Sequence, residues 1–237
     1  MSSQLNVKDG FYDKAIIVIL AVFGVYLGVV YFGHRIVPNS DFSCFVRTAR
    51  EVLSFELPSS YKRGPVLGIL QVAVSWFITD SHPYLTAGRL LNAVLFAGNV
   101  VLLFLVCKKV VGRAAVWVAV IAAINPWVIE MLTEPLAETT FLFFILLSFL
   151  LIFKRSRWSY LVASVTTMVR YEGAALIGIA FVMDMIDSKD NRDRIGSLAC
   201  AAVASLPFGL WMVGTLLDFK GQGETHYLKE LGRNHGR

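Results

Sequence analysis

The chain has 237 residues, of which 56% are hydrophobic and only 16% are charged. With a mean hydropathy of +0.63, this composition leaves too little polar surface for a water-soluble domain, so we predict an all-α integral membrane protein. The net charge of +5 comes from basic residues dispersed among loops. Because these residues do not form one basic face with interleaved aromatic residues, the sequence argues against nucleic acid as a partner.

Apolar runs ended by charged clusters predict about seven transmembrane helices in a single domain over residues 1–217. The first run, from Ala15 to Gly33, is too long for a signal-peptide core, so we interpret it as a retained signal anchor. Residues 218–237 are predicted to form an external polar tail. The predicted spans cover residues 15–34, 84–107, 114–132, 134–153, 158–171, 172–187 and 195–217.

Basic residues recur at every second turn between the predicted spans. Because cytoplasmic turns of membrane proteins are enriched in Lys and Arg, we expect these turns and the N-terminus, with Lys8 and Lys14, to lie in the cytoplasm. The alternate turns, near Glu134 and Tyr171, are then expected at the periplasmic, extracellular or lumenal face. The basic turns contain Lys108, Lys109 and Arg113, then Lys154, Arg155 and Arg157, then Lys189, Arg192 and Arg194.

The longest external loop, residues 35–83, contains two apolar segments. Over residues 41–54, apolar residues recur at helical spacing and charged residues fall on the other face. This pattern predicts an amphipathic helix lying in the membrane interface. Residues 64–78 are apolar but too few to cross a bilayer, which predicts a re-entrant or interfacial helix.

Three carboxylates are predicted at the non-cytoplasmic face: Asp41, Glu134 and Glu138. Asp41 begins the amphipathic helix, where it could cap that helix, take a proton from a hydroxyl or bind a cation. The sequence Thr133-Glu134-Pro135 is typical of a helix start. Glu138 follows on the same helical face, where like charges repel. A carboxylate pair kept together near hydrocarbon indicates a bound cation, metal or substrate.

Cationic residues are predicted at the same face. Arg170 and Glu172 interrupt an apolar stretch, either as a structural pair that closes a turn or as part of an anion site. Other polar and cationic residues lie nearby, at Arg89 and from Tyr61 to Arg63. Each of them taken alone is typical of a side chain that snorkels to the membrane interface. Together these residues favour an anion-binding wall. It comprises Tyr61, Lys62, Arg63, Arg89 and Arg170, with Tyr171 and Glu172 in support.

Acids that face cations at the outer membrane surface suit one reaction in particular, the displacement of phosphate from a lipid-linked sugar. Asp41 and Glu134 would activate an acceptor hydroxyl, with Glu138 in support, and the cations would hold the phosphate as it leaves. The three carboxylates could also hold a divalent cation, Mg²⁺ or Mn²⁺, although a basic wall can neutralise phosphate without metal. The hypothesis requires Asp41 and Glu134 to share one cavity that faces the cations.

Several short motifs follow one another along nearly the whole chain. They are Asp41 just beyond the first span, Tyr61 to Pro65 at the entry to the predicted re-entrant helix, A-x-R-L-L-N (Ala87 to Asn92), Gly112-Arg113, Asn125-Pro126, T-E-P (Thr133 to Pro135) and R-Y-E-G (Arg170 to Gly173). In this order and spacing they resemble the GT-C glycosyltransferases, which include protein O-mannosyltransferases and aminoarabinose transferases acting on polyprenyl-phosphate sugars.

The resemblance implies a GT-C-like fold of seven spans with interfacial helices in the first external loop. It implies Asp41 as the base or metal-site acid and Glu134 as a second acid, while Glu138 is similar to the paired acids of oligosaccharyltransferase relatives. The implied activity is transfer of a sugar from a polyprenyl-phosphate donor to an acceptor at the non-cytoplasmic face. The donor and membrane lipid are then the expected partners.

Two alternatives stay open. Enzymes of the GT-C family usually continue into further spans and often into a soluble external domain, whereas this chain ends soon after its predicted seventh span. The chain could therefore be a non-catalytic lipid-binding or assembly subunit, with a second membrane subunit supplying the remaining portion. Intramembrane charges also mark transport paths, so a small transporter or flippase is the other alternative.

Overall fold

The computed structural model describes residues 2–34, 40–59, 61, 63–188 and 190–221. Within these ranges the secondary structure is helical, with two 3₁₀ turns at Gly112–Ala114 and Tyr171–Gly173 and no strand. The α-helices in the described ranges are α1 (Ser2–Val30), α2 (Ser40–Leu53), α3 (Val66–Ser75), α4 (Pro83–Val111), α5 (Ala115–Ala123), α6 (Pro126–Thr133), α7 (Ala137–Phe153), α8 (Trp158–Val169), α9 (Ala174–Asp187) and α10 (Asn191–Gly221).

Three helical stretches are long and apolar enough to cross a membrane: Tyr12–Val30, Pro83–Ala123 and Asn191–Leu217. The pair α6 and α7, bent by 114°, adds a fourth if it is counted as one span. This count supports an all-α membrane protein with three or four candidate spans, fewer than the seven, which stay a prediction. One reason is that α8 and α9 have 12 and 14 residues, which gives lengths of about 18 and 21 Å against a hydrocarbon core of roughly 30 Å.

The predicted span 114–132 is interrupted at Asn125. This residue is extended at the start of α6, where its side chain accepts a hydrogen bond from the backbone N–H of Trp127 at 3.0 Å. Pro126 occupies the first position of α6, where a missing N–H costs no intrahelical bond. The N-cap and the proline explain why α5 and α6 are separate short helices.

The predicted helix start at Glu134 is wrong. Glu134 and Leu136 are extended, and α7 begins at Ala137, so Glu134 and Glu138 do not share a helical face. Buried side chains from other helices hold the extended link. The Asn92 amide donates to the carbonyls of Met131 and Glu134 at 2.9 and 2.5 Å. The link thereby keeps its backbone hydrogen bonds without being helical.

Helix α4 is the central element against which α1, α5 and α7 pack. Gly24 of α1 lies so close that an added Cβ would stand 2.6 Å from the Cα of Ala97, which explains the small residues at this crossing. After α4 the chain reverses at Gly112, which has a φ of +61°. Ala119 and Ala123 of α5 then pack in one cluster with Phe96 and other residues of α4. The apolar stretch Pro83–Ala123 therefore folds back on itself.

The remaining helices form a second group around α8, and α2 and α3 cover the junction. Residues of α7, α8, α9 and α10 share a buried cluster that includes Tyr160 and Ala204. Phe45 of α2 and Leu67 of α3 pack against Ala137 and Val169, where α7 begins and α8 ends. These contacts place α2 and α3 against the start of α7 and the end of α8.

Charged residues gather at both ends of the bundle. Along α4, Arg89 and Lys108 are 19 residues apart in sequence, which corresponds to roughly 28 Å of helix. This separation is close to the thickness of a hydrocarbon core. The two ends are described below as the Asp41 end and the Lys108 end.

Candidate functional site

A cavity of about 360 Å³ lies at the Asp41 end, where several helix termini meet. It is bounded by the start of α2, the segment before α3, the start of α7 and the turn between α8 and α9. Three carboxylates and two guanidinium groups share it with an apolar wall. The lining residues are Asp41, Phe45, Arg63, Gly64, Leu136, Ala137, Glu138, Val169, Arg170, Tyr171 and Glu172.

Asp41 lies in the first turn of α2 and forms an ion pair with Arg63. Both side chains are about one-third exposed, at 38% and 34%, so the pair is reachable from solvent. The guanidinium carbon of Arg63 lies 5.9 Å from the centre of the Phe45 ring. Its Nε is buried and has no hydrogen-bond partner within the described part of the chain. A buried donor without an acceptor is costly, so Arg63 is suited to receive an oxyanion from the cavity.

The backbone on both sides of Arg63 is fixed by close contacts. The carbonyl of Tyr61 accepts hydrogen bonds from the hydroxyl of Tyr171 and, at 3.1 Å, from the indole N–H of Trp211. On the other side, Gly64 meets the carbonyl of Met168 so closely that no Cβ could fit between them. The Arg63 side chain therefore extends from an anchored segment, although the sequence before α3 is irregular.

Arg170 bridges two carboxylates of the cavity. Its Nη1 donates to Glu138 at 2.9 Å and its Nη2 donates to Glu172 at 3.3 Å. The pKa of Glu172 is lowered, first by a hydrogen bond from its own backbone amide and then by Arg170, which together outweigh the opposing effect of burial; the charge of Arg63 adds to the lowering. Both guanidinium groups thus act on the same carboxylate, which supports their convergence in one site.

The structure separates the predicted site residues into two groups. Asp41, Arg63, Glu138, Arg170, Tyr171 and Glu172 line the cavity, and Tyr61 supports it through its carbonyl. Glu134 and Arg89 are not among the lining residues of this cavity, and the guanidinium of Arg89 lies near Gly33 at the end of α1. Asp41 and Glu134 therefore do not share this cavity, so that pair does not meet the condition set by the sequence hypothesis. The carboxylate in the first turn of α7 that shares the cavity with Asp41 and the two arginines is Glu138. Lys62 lies outside the described residues.

The predicted metal site at Asp41, Glu134 and Glu138 has no counterpart in the described geometry. Within the described ranges, no three His, Cys, Asp or Glu side chains lie close enough to hold a metal ion together. Asp41 and Glu138 are each paired with an arginine instead. As placed, the three predicted carboxylates do not fit a common metal ion.

Two residues that support the site, Gln71 and Trp211, were missed in the sequence, and Asn92 was named only as part of the A-x-R-L-L-N motif, without a role. Gln71 is fully buried and donates to the carbonyl of Pro135 at 3.2 Å, and Asn92 holds the same link from α4. A single polar residue within an apolar stretch was the available signal for both. Trp211, in the last helix, had no signal because a tryptophan in an apolar run is typical of any span.

No protein-family model, curated protein or solved structure matches the chain.

Proposed function

We propose that the chain is a GT-C-type glycosyltransferase that moves a sugar from a polyprenyl phosphate to an acceptor hydroxyl. The observation that carries the proposal is the cavity in which Asp41 and Glu138 lie with Arg63 and Arg170. These residues come from four separate segments of the chain. Their convergence offers a base and an anion-binding group within one site, as the reaction needs.

Asp41 is the proposed base, because it is reachable from solvent and borders the arginine that would hold the phosphate. In the reaction, the acceptor oxygen forms a bond to the anomeric carbon and its proton passes to Asp41. The bond between that carbon and the phosphate oxygen breaks, and the lipid phosphate leaves with the electron pair. Arg63 and Arg170 would stabilise the charge on the leaving phosphate.

Binding of the donor would exchange the partners of Arg63. Without a donor, Arg63 is paired with Asp41, and its hydrogen bond occupies one of the carboxylate oxygens that would accept the proton. A phosphate oxygen that takes over the guanidinium would leave Asp41 available for the acceptor. Partly exposed ion pairs are worth about 1 kcal/mol or less, so this exchange faces a small barrier.

Glu138, and not Glu134, is the acid that lies with Asp41 and the two arginines in this cavity. Glu138 lies in the first turn of α7 and orients Arg170 by a 2.9 Å hydrogen bond. It is therefore a positioning residue for the phosphate-binding group. The catalytic role predicted for Glu134 stays a prediction. Dependence on Mg²⁺ or Mn²⁺ also stays a prediction, and transfer measured with and without a chelator tests it.

The proposed topology has seven crossings with the cavity on the non-cytoplasmic face. Because α5 runs back along α4, the stretch Pro83–Ala123 would supply two crossings rather than one. In this topology the bent α6–α7 pair forms one crossing. Helices α8 and α9 form one crossing each, packed against neighbouring helices. Accessibility labelling of single cysteines placed at residues 56 and 155 tests the orientation, since the two positions should react from opposite sides.

The experiment is sugar transfer by the purified chain in liposomes containing a radiolabelled polyprenyl-phosphate hexose. We expect label to leave the lipid with the unmodified chain. Asp41→Asn should reduce transfer by roughly 10²- to 10⁴-fold, the usual contribution of a general base. Glu56→Gln is the matched control, because Glu56 is an exposed carboxylate of the same loop outside this cavity. Unchanged transfer in Asp41→Asn would refute the assignment.

An assembly subunit is the second candidate, and the surface of α10 favours it. Only 11% of the most apolar window of α10 is buried, compared with 39% for Pro83–Ala123. Leu206, Leu210 and Val213 are exposed on this helix, as expected for contact with lipid or with another membrane protein. Copurification of a second membrane protein that is required for transfer would support this candidate. A transporter would instead show substrate flux into liposomes without sugar transfer.

A further inference from the structure

A second cavity, of about 380 Å³, lies at the Lys108 end of the bundle. It is formed between the start of the first candidate span, the last turns of α4 and the 3₁₀ turn that follows. One part of its lining is polar and cationic, and the other part is apolar. The residues that matter here are Tyr12, Asp13, Lys108 and Arg113 on the polar side and Ile16 and Phe104 on the apolar side.

The local structure explains why two cations border this cavity. Lys108 lies in the last turn of α4, where cations offset the negative end of the helix dipole. Gly112 then ends the helix at a φ of +61°, a conformation that glycine adopts readily, and the turn brings Arg113 to the cavity rim. Lys108 also forms an ion pair with Asp13 of α1 and lies 6.0 Å from the centre of the Phe104 ring.

The position of the cavity matches the boundary between hydrocarbon and headgroups. Tyr12 begins the candidate span Tyr12–Val30, and Lys108 is roughly 28 Å along α4 from the charged residues at the other end. Ile16 and Phe104 continue from the cavity into the apolar part of the bundle. A ligand here would have its charged group among cations and its apolar part beside hydrocarbon side chains.

We infer that this cavity binds the headgroup of an anionic phospholipid. Among the lining residues that the structure describes, Lys108 and Arg113 are cationic and Asp13 is acidic, and two cations beside an apolar wall suit a phosphate carried on a lipid. Asp13 competes with the phosphate for Lys108 and weakens its binding. The same side chains that join α1 to α4 thereby make the helix contact responsive to lipid charge. This inference does not depend on the proposed transferase activity.

The test is lipid binding by the full chain purified in detergent. Phosphatidylglycerol and phosphatidylcholine are titrated separately, and bound lipid is measured by native mass spectrometry. We expect phosphatidylglycerol to bind more tightly. The double variant Lys108→Gln/Arg113→Gln should weaken its binding about thirty-fold, whereas Asp13→Asn should strengthen it about five-fold. Lys109→Gln is the matched control, because Lys109 is an exposed neighbour outside the cavity lining.

The two variants are expected to change phosphatidylglycerol binding in opposite directions, and this difference distinguishes a lipid site from a structural ion pair. If Lys108 and Asp13 serve only to join α1 and α4, both variants lower the unfolding temperature and neither changes lipid preference, which overturns the inference. Weaker binding of phosphatidylglycerol in Asp13→Asn also overturns it. Inorganic phosphate is added as a competitor. Displacement of lipid by low concentrations of phosphate would show that the cavity takes free phosphate and would refute the lipid assignment.

Discussion

Two arginine–aspartate ion pairs lie at opposite ends of α7, and their surroundings differ. Arg63 and Asp41 line a cavity, and contacts with Tyr171, Trp211 and Met168 fix the backbone on both sides of Arg63. Arg155, in the turn that follows α7, pairs with Asp187 at the end of α9, and its side chain is 61% exposed, compared with 34% for Arg63. The same two residue types thus form an anchored site in one place and a surface contact in the other.

This comparison shows that the ion pair alone carries little information about function. A surface pair contributes about 0–1 kcal/mol and is screened by salt. Three features distinguish the Arg63–Asp41 pair. A cavity lies beside it, and the Nε of Arg63 is buried without a partner in the described part of the chain. A second arginine, Arg170, lies in the same cavity and, like Arg63, lowers the pKa of Glu172. The predictions below test whether those surroundings matter.

The largest effect in this comparison is expected from Arg63→Gln, with Arg155→Gln as its matched control. Loss of a charged hydrogen-bond donor to phosphate should weaken binding of the lipid donor by about tenfold to hundredfold. Arg155→Gln should leave binding unchanged, since its pair with Asp187 lies outside the cavity. Donor binding measured by native mass spectrometry and the KM for donor are the readouts. Equal effects of the two variants would remove the distinction drawn here.

An intermediate effect is expected from Gly64→Ala. A Cβ at this position would collide with the carbonyl of Met168, so the segment that carries Arg63 must shift, at a cost of about 1–3 kcal/mol. Gly178→Ala is the control, because no heavy atom lies within 4 Å of the added methyl group, and alanine favours a helix by up to about 1 kcal/mol. The free energy of unfolding in detergent is the measurement. A tolerated Gly64→Ala would contradict the anchoring of Arg63.

The smallest effect is expected from Trp211→Phe. This change keeps most of the ring packing against Tyr61, whose ring centre lies 4.9 Å from that of Trp211. It removes the N–H that donates to the Tyr61 carbonyl. A lost neutral hydrogen bond of about 1 kcal/mol should raise the donor KM about fivefold and leave kcat nearly unchanged.

Trp117→Phe, at a 69% exposed position, is the control for Trp211→Phe. A fall in kcat without a change in KM would contradict a role for Trp211 in positioning the donor site.

Sequence reasoning reached most of the cavity residues but not the geometry that unites them. Asp41, Arg63, Arg170 and Glu172 were accessible because charged residues in an apolar chain are few, and each is costly near hydrocarbon. Glu138 lines the cavity, whereas Glu134 is not among its lining residues. Thr133-Glu134-Pro135 predicts a helix start, but tertiary hydrogen bonds from Asn92 and Gln71 hold this link extended. Local helix signals were overridden because buried amides supplied the backbone with other partners.

By itself, the sequence determined that this is an all-helical membrane protein with charged residues near the ends of its apolar stretches. Composition and periodicity suffice for that, because a lipid environment imposes the same requirement on every spanning segment. Only the tertiary structure decided that Asp41 lies with Glu138 rather than with Glu134, and that Arg63 is anchored beside them. Such convergence depends on contacts between segments far apart in the chain, which a pattern of neighbouring residues does not encode.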